Sequence, residues 1–159
     1  MKRARVAILS GVGELISHNL ALAEELGFPM ASKFDAMDRR FDFYLHYDEK
    51  GLSLHSNLDQ ALGAVRVNFD NTALNRRSKD SLSQQNLIKA VGLKQKQKQK
   101  QKQKLSVLDA MTGLGSDAFL LACAGCRVTM LERNEIVFSL LRDGLLRRSE
   151  EHTSELQSQ

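Results

Sequence analysis

Leu105-Ser106-Val107-Leu108-Asp109-Ala110-Met111-Thr112-Gly113-Leu114-Gly115-Ser116-Asp117 is the stretch whose reading decides the fold. Residues 105 to 108 form a short, mainly apolar run that reads as a strand, and Asp109 closes it. Thr112 to Ser116 is a glycine loop. Asp117 through Ala124 has the composition of a helix, with Asp117 in its first turn and Gly125 after its end. Arg127-Val128-Thr129-Met130-Leu131 reads as the next strand, closed by Glu132. Asn134 can cap a further helix that carries Ile136, Val137, Leu140 and Leu141 on one face. Such a β-α-β-α alternation implies a parallel sheet with right-handed crossovers, hence an α/β, Rossmann-like core.

The loop's chemistry follows from its residue types. Asp109 to Gly115 fits an acid-x-x-x-Gly-x-Gly pattern at a strand end. A tight strand-to-helix turn needs the backbone freedom of glycine, and a ligand lying over the loop needs the absence of Cβ atoms. The helix start offers free N–H groups and the positive end of its dipole. Glu132, at the tip of the next strand, can accept hydrogen bonds from both hydroxyls of a ribose. Two ligand classes share this geometry. Gly113, Gly115 and Ala118 also satisfy the G-x-G-x-x-G/A fingerprint of a dinucleotide site, the pattern of an NAD(P)-dependent oxidoreductase. Asp109 and Asp117, however, crowd the loop with negative charge. That repels a pyrophosphate and suits the cationic sulfonium of S-adenosylmethionine. A bare glycine turn in an α/β protein is the remaining alternative.

Upstream, Val6-Ala7-Ile8-Leu9 reads as a buried strand, and Leu15 to Leu26 as a helix ended by Gly27 and Pro29. Phe41 to Tyr47 and Leu52 to His55 alternate about the turn Asp48-Glu49-Lys50-Gly51, which predicts a hairpin. Val65 to Phe69 is a further strand candidate, and residues 84 to 92 are a helix candidate ending at Gly92. Gly11-Val12-Gly13 lacks a following acid at nucleotide-loop spacing and reads as a structural turn. Residues 1–93 are therefore expected to form a small α+β region.

The formal net charge of +4 has one source. The run Lys94 to Lys104 alternates lysine with glutamine, and removing its six lysines leaves 17 Lys and Arg against 19 Asp and Glu, a net of −2. A run of this kind reads first as a solvated low-complexity linker, and second as a non-specific phosphate contact. Arg39-Arg40 and Arg76-Arg77 are read either as surface residues or as phosphate contacts. No apolar run is long enough to cross a bilayer, and no signal peptide is read, so a cytoplasmic protein is expected. Cys123-Ala124-Gly125-Cys126 has no second cysteine pair, and the four histidines lack metal-ligand spacing, so no metal site is expected.

Val107 to Phe119, followed by Gly125-Cys126-Arg127-Val128-Thr129-Met130-Leu131-Glu132-Arg133-Asn134, resembles the RsmJ family. These are bacterial methyltransferases acting on the exocyclic N2 of a guanosine in small-subunit (16S) ribosomal RNA. Arg76-Arg77 and Lys89 to Leu93 are similar to the family's segment before its first core strand. The resemblance implies S-adenosylmethionine as cofactor and small-subunit ribosomal RNA as partner. It places Gly113, Gly115, Ser116, Asp117, Glu132 and Arg133 at the cofactor. The family usually has arginine where Ser116 stands, and a glycine-rich basic stretch where Asp80 to Gln85 stands.

Residues 105–147 are then the first half of a methyltransferase domain. The family's later aspartate-proline motif, which holds the target base, has no counterpart, so the catalytic residues are expected beyond this chain and the fragment is expected to be inactive. Residues 148–159 lack apolar periodicity and resemble the translation of a sequencing-adapter oligonucleotide, so they are read as a non-native tail. Rival expectations are an oxidoreductase using the same loop, and a non-catalytic fragment that binds RNA through the lysine run.

Overall fold

The computed structural model describes residues 4–35, 37–59, 61–70, 86–93 and 104–157, with side chains of the last helix described to residue 150. The chain divides into two compact units. One is Met1–Val67 with Arg142–Arg147, and the other is Asn68–Leu141 with Arg148–Gln159. The run at residues 94–103, Arg76-Arg77 and the stretch Asp80 to Gln85 lie outside the described residues.

The first unit is built on a four-stranded sheet. Strands β1 (Val6–Leu9), β2 (Met30–Ala31), β3 (Phe43–Asp48) and β4 (Gly51–Ser56) stand in the order β2-β1-β3-β4. β1 is parallel to both neighbours, and β3 and β4 form the expected antiparallel hairpin, with Asp48 opposite Gly51. All four residues of β1 are buried, as a central parallel strand covered on both faces requires. Helix α1 (Leu15–Leu26) makes the crossover from β1 to β2 and buries Asn19, Leu22 and Ala23. Asn19 is polar yet fully enclosed because every group it carries is bonded. Its Nδ2 donates to the carbonyl of Leu15 at 2.9 Å and more weakly to that of Tyr47, while its Oδ1 accepts from the N–H of Tyr47 at 2.9 Å. Gly11 abuts this amide: a Cβ there would lie 2.8 Å from Asn19 Nδ2, so the first glycine turn is a packing feature.

The segment Val65 to Phe69 is not a strand. Among the described residues only Val65 pairs, exchanging two backbone bonds of 2.8 and 2.9 Å with Leu54. Beyond it side chains take over. The Arg66 guanidinium turns to the Asp48 carboxylate, and the carbonyl of Val67 accepts from Arg147 at 2.6 Å.

Arg147 belongs to the long C-terminal helix, whose residues 142–147 are part of this first unit. Asp143 is buried there at 6% exposure and accepts from the N–H of Leu52 and from Arg147 Nε, both at 3.0 Å. The Tyr47 phenol also meets Asp143; burial first, then that negative charge, pushes its pKa up to about 12. Arg142 forks onto Glu25 of α1 at 2.6 and 2.7 Å. Gly144 lets Val67 close on the helix, since a Cβ there would collide with the Val67 side chain.

The second unit contains helix α2 (Asn86–Ala90), strand β5 (Ser106–Asp109), helix α3 (Ser116–Cys123), strand β6 (Arg127–Met130) and helix α4 (Glu135–Gln157) apart from its residues 142–147. β5 and β6 are parallel, with Val107 opposite Val128 and Asp109 opposite Met130. Ile88, Leu93, Leu121 and Cys126 form the core against one face of this sheet, with Leu87, Val91, Leu105, Val107 and Val128 packed around them. Asn134 caps α4 as expected, its Oδ1 accepting from the N–H groups of Ile136 and Val137 at 3.0 and 3.2 Å. The helix does not stop where the apolar pattern ends at Arg147. It runs to Gln157, through a polar stretch with three glutamates that a helix tolerates.

Asp143→Ala leaves the Leu52 N–H without its acceptor and Arg147 without its counter-charge, and is expected to cost about 2–3 kcal/mol. Asp143→Asn keeps an oxygen for Leu52 and is expected to cost less. Urea unfolding of both variants beside the parent chain measures this order.

Candidate functional site

The site forms where β5 ends and α3 begins. The sheet ladder continues past the strands: the N–H of Leu131 donates to the carbonyl of Asp109 at 2.8 Å, and that of Thr112 to the carbonyl of Leu131 at 3.1 Å. The loop is thereby fixed to the tip of β6. Thr112 is nearly buried, and its hydroxyl donates to the carbonyl of Asp109 at 3.0 Å. The N–H of Gly115 turns back to the carbonyl of Thr112 at 3.0 Å, and the chain enters α3.

Glu132 reaches across from β6. Its Oε2 accepts from the N–H of Gly113 at 3.0 Å, and its Oε1 from the N–H of Asn134 at 2.7 Å. The amide bond from Asn134 is the largest influence holding this carboxyl below the ordinary glutamate range; desolvation opposes it, and the bond from Gly113 adds to it. With the folded pKa depressed, the contribution of these bonds is complete above the ordinary glutamate pKa. It fades only as the pH falls through the lowered value. A carboxylate has about four acceptor positions, and the two amide bonds leave others open to hydroxyl donors.

The two glycines do different work. Both have positive φ, 56° at Gly113 and 81° at Gly115. A Cβ at Gly113 would meet nothing within 4 Å, so its face is open to a ligand. A Cβ at Gly115 would stand 2.6 Å from Leu141 Cδ1 and 3.1 Å from Phe69 Cζ. Gly115 therefore permits close packing behind the loop instead of ligand approach in front of it.

On the α2 side of β5 lies a cavity of about 440 Å³. Asp109, Thr112, Ser116 and Asp117 supply its polar lining; Leu87, Val91, Val107, Leu108, Met111, Leu114 and Leu121 supply the apolar part. The structure thus brings Ser116 and Asp117 together with Asp109 in one cavity, and Gly113 together with Glu132 beside it. Arg133 follows Glu132 on the exposed surface and is not part of the cavity lining. Leu87 and Val91 were not anticipated as site residues. Nothing in the spacing of a short helix that precedes a low-complexity run links it to the glycine loop.

Other sequence features resolve simply. Cys126 is buried and its thiol is pushed up by desolvation, which suppresses thiolate chemistry, while Cys123 is exposed. Arg40 is held by Asp38 and lies over the Phe41 ring. His46 and His55 are half-buried neighbours on the hairpin.

A parallel sheet, a glycine loop at a strand tip and an acid at the next tip define a nucleotide-type α/β site. Residues 29–159 match the model of a family described as "Putative SAM-dependent methyltransferase", and the chain belongs to that family. Its curated relatives include two proteins named ribosomal RNA small subunit methyltransferase J, which bears out the resemblance to the RsmJ family. The one from Cellvibrio japonicus is 46% identical over 107 residues, 67% of this chain and 38% of the relative. The one from Pseudomonas savastanoi pv. phaseolicola is 38% identical over 146 residues, 91% of this chain and 49% of the relative. The chain thus spans half or less of the length of these relatives. A solved SAM-dependent methyltransferase from Neisseria gonorrhoeae superposes with a TM-score of 0.61 at 23% identity, over 89% of this chain and 51% of that one. That likeness supports the Rossmann-like fold.

The difference between the glycines is measurable. Gly113→Ala meets only the backbone cost of a left-handed residue, about 1–2 kcal/mol. Gly115→Ala adds overlap with Leu141 and Phe69, about 1–3 kcal/mol more. Thermal melting is expected to rank Gly115→Ala as the less stable variant.

Proposed function

We propose that this chain carries the S-adenosylmethionine-binding part of an enzyme that methylates the N2 of a guanosine in small-subunit (16S) ribosomal RNA. The observation that carries the cofactor reading is the acidic lining of the site, together with three loop donors that are already bonded. The N–H groups of Thr112, Gly113 and Gly115 are all bonded within the fold, that of Gly113 to a carboxylate. A pyrophosphate needs such groups free and a positive field around them. Here the field comes from Asp109, Asp117 and Glu132, and a cationic ligand fits it.

In this reading Glu132 accepts the ribose hydroxyls while keeping its bond to Gly113. The open face of Gly113 lets the ligand cross the loop. Asp109 and Asp117, in the cavity, face the positively charged amino-acid and sulfonium end, and Ser116 offers a hydroxyl there. Leu87, Val91 and Leu114 supply apolar contacts at that end. Arg133, exposed beside Glu132, is assigned to the adenosine side. Adenosylmethionine, when bound, supplies an electrophilic methyl group whose transfer to a guanine amino nitrogen leaves a neutral thioether and one released proton. The guanine and RNA assignments rest on the names of the matched relatives, and the cytoplasm is the compartment such a substrate implies. Among the described residues no helix is long and apolar enough to cross a membrane.

Calorimetric titration with S-adenosylmethionine and with NAD tests the cofactor reading. Binding is expected for the first and none for the second at equal concentration. Glu132→Ala removes charge-assisted bonds and is expected to weaken adenosylmethionine about tenfold or more. Binding of NAD without adenosylmethionine would overturn the proposal.

A further inference from the structure

Phe69 lies outside the strand–loop–helix that carries the site, yet its ring is built into it. The side chain is buried at 3% exposure. It stacks on Phe119 of α3 with centroids 5.1 Å apart and 19° between the ring planes. Its Cζ and Cε1 face Gly115 at 3.1 and 3.5 Å from the position a Cβ would take, and Leu141 closes the other side. The next residue, Asp70, is ion-paired with Arg148 of α4, which fixes the backbone that presents the ring. Gly115 therefore sits in a slot whose walls are Phe69 and Leu141.

The slot matters because of what the loop is made of. Gly113-Leu114-Gly115 has a glycine at each end, and glycine is the residue least able to hold its own conformation. Gly113 is held by the carboxylate of Glu132. At Gly115 the N–H bond to Thr112 closes the turn and the carbonyl accepts from the N–H of Phe119 at 2.9 Å; steric contact from behind adds to these bonds. Ser116 and Asp117 follow directly, and both line the cavity. A shift of Gly115 towards a vacated slot would carry both side chains with it.

We propose that Phe69 is a positioning residue for cofactor binding: its ring, backed by Phe119, holds Gly115 so that Ser116 and Asp117 are set in the cavity before the ligand arrives. Phe69 itself touches no ligand. The inference rests on the adenosylmethionine reading of the site, but its structural half stands independently of the ligand's identity.

The test uses Phe69→Leu, which keeps an apolar side chain but removes the flat stacking ring, and Phe69→Ala. Three quantities are measured on the 159-residue chain: melting temperature, amide hydrogen exchange in peptides covering residues 111–117 and 127–131, and calorimetric affinity for S-adenosylmethionine. For a folded Phe69→Leu, exchange is expected to accelerate in 111–117 and stay unchanged in 127–131. Affinity is expected to fall about threefold, and about tenfold in Phe69→Ala, since preorganisation is lost. Unchanged exchange in 111–117 overturns the inference, as does equal acceleration in both peptides, which marks general loosening. Should the parent chain bind no adenosylmethionine, the cofactor reading fails, while the exchange comparison still decides whether Phe69 holds the loop. Should Phe69→Ala not fold, Phe69→Leu alone decides.

Discussion

The hydrogen bond from the N–H of Gly113 to the carboxylate of Glu132 is the constraint on which the site depends. It ties the first glycine of the loop to the tip of the neighbouring strand, where the ladder bonds of Thr112 and Leu131 already hold the backbone. One side chain thereby sets both the shape and the charge of the loop. The shape follows because Gly113, open on its ligand face, cannot drift away from β6. The charge follows because a donor that would otherwise invite an anion is bonded to an acid. A glycine loop is often a phosphate cradle; with Glu132 bonded into it and Asp109 and Asp117 beside it, this one is better suited to a cation. The same motif in sequence can thus serve opposite electrostatics, and the side chain that caps the loop's amides decides which.

What was legible in the sequence is what is local. The apolar run before Asp109, the two glycines and the acid after the next run lie close together in the chain. Their period, spacing and end caps have direct structural meaning. Asn134 was legible as a cap for the same reason, and its carboxamide oxygen takes the amides of Ile136 and Val137. The difference between the glycines was not legible. Gly113 and Gly115 look alike in the sequence, and only the positions of Phe69 and Leu141 separate a ligand face from a packing face. The α2 wall was hidden too, because Leu87 and Val91 reach the cavity across a segment whose composition gives no register.

The first unit shows the same limit from the other side. Val65 to Phe69 has the residue types of a strand, but a strand needs a backbone partner for each backbone group, and past Val65 the carbonyl of Val67 takes a side chain instead. Arg147 takes the carbonyl of Val67; Arg66 spends its guanidinium on Asp48. Asn19 and Asp143 are further cases. Both are polar residues in apolar surroundings, stable there because backbone donors from β3 and β4 are aimed at their oxygens. A sequence shows that such a residue is out of place on an apolar stripe. It does not show that Tyr47 or Leu52, remote in the chain, makes the position correct. Buried polar side chains of this kind specify one arrangement of helix against strand, because any other leaves a donor unmet.

Charge is where the distinction between whole-chain and local properties matters most. The chain is net basic, and from that alone an anionic ligand would be expected at its principal site. Yet the lysine–glutamine run accounts for the whole excess, and without it the chain is net acidic. At physiological ionic strength exposed charges are largely screened beyond about 8 Å. Acids lining the cavity lie within a screening length of anything that enters it, so their charge is felt there. Asp109 and Asp117 in the cavity lining, with Glu132 at the loop, therefore set the local charge of the site, whatever the sum over the chain. The basic run and the acidic site are separate along the sequence, so the net charge of the whole chain describes neither of them.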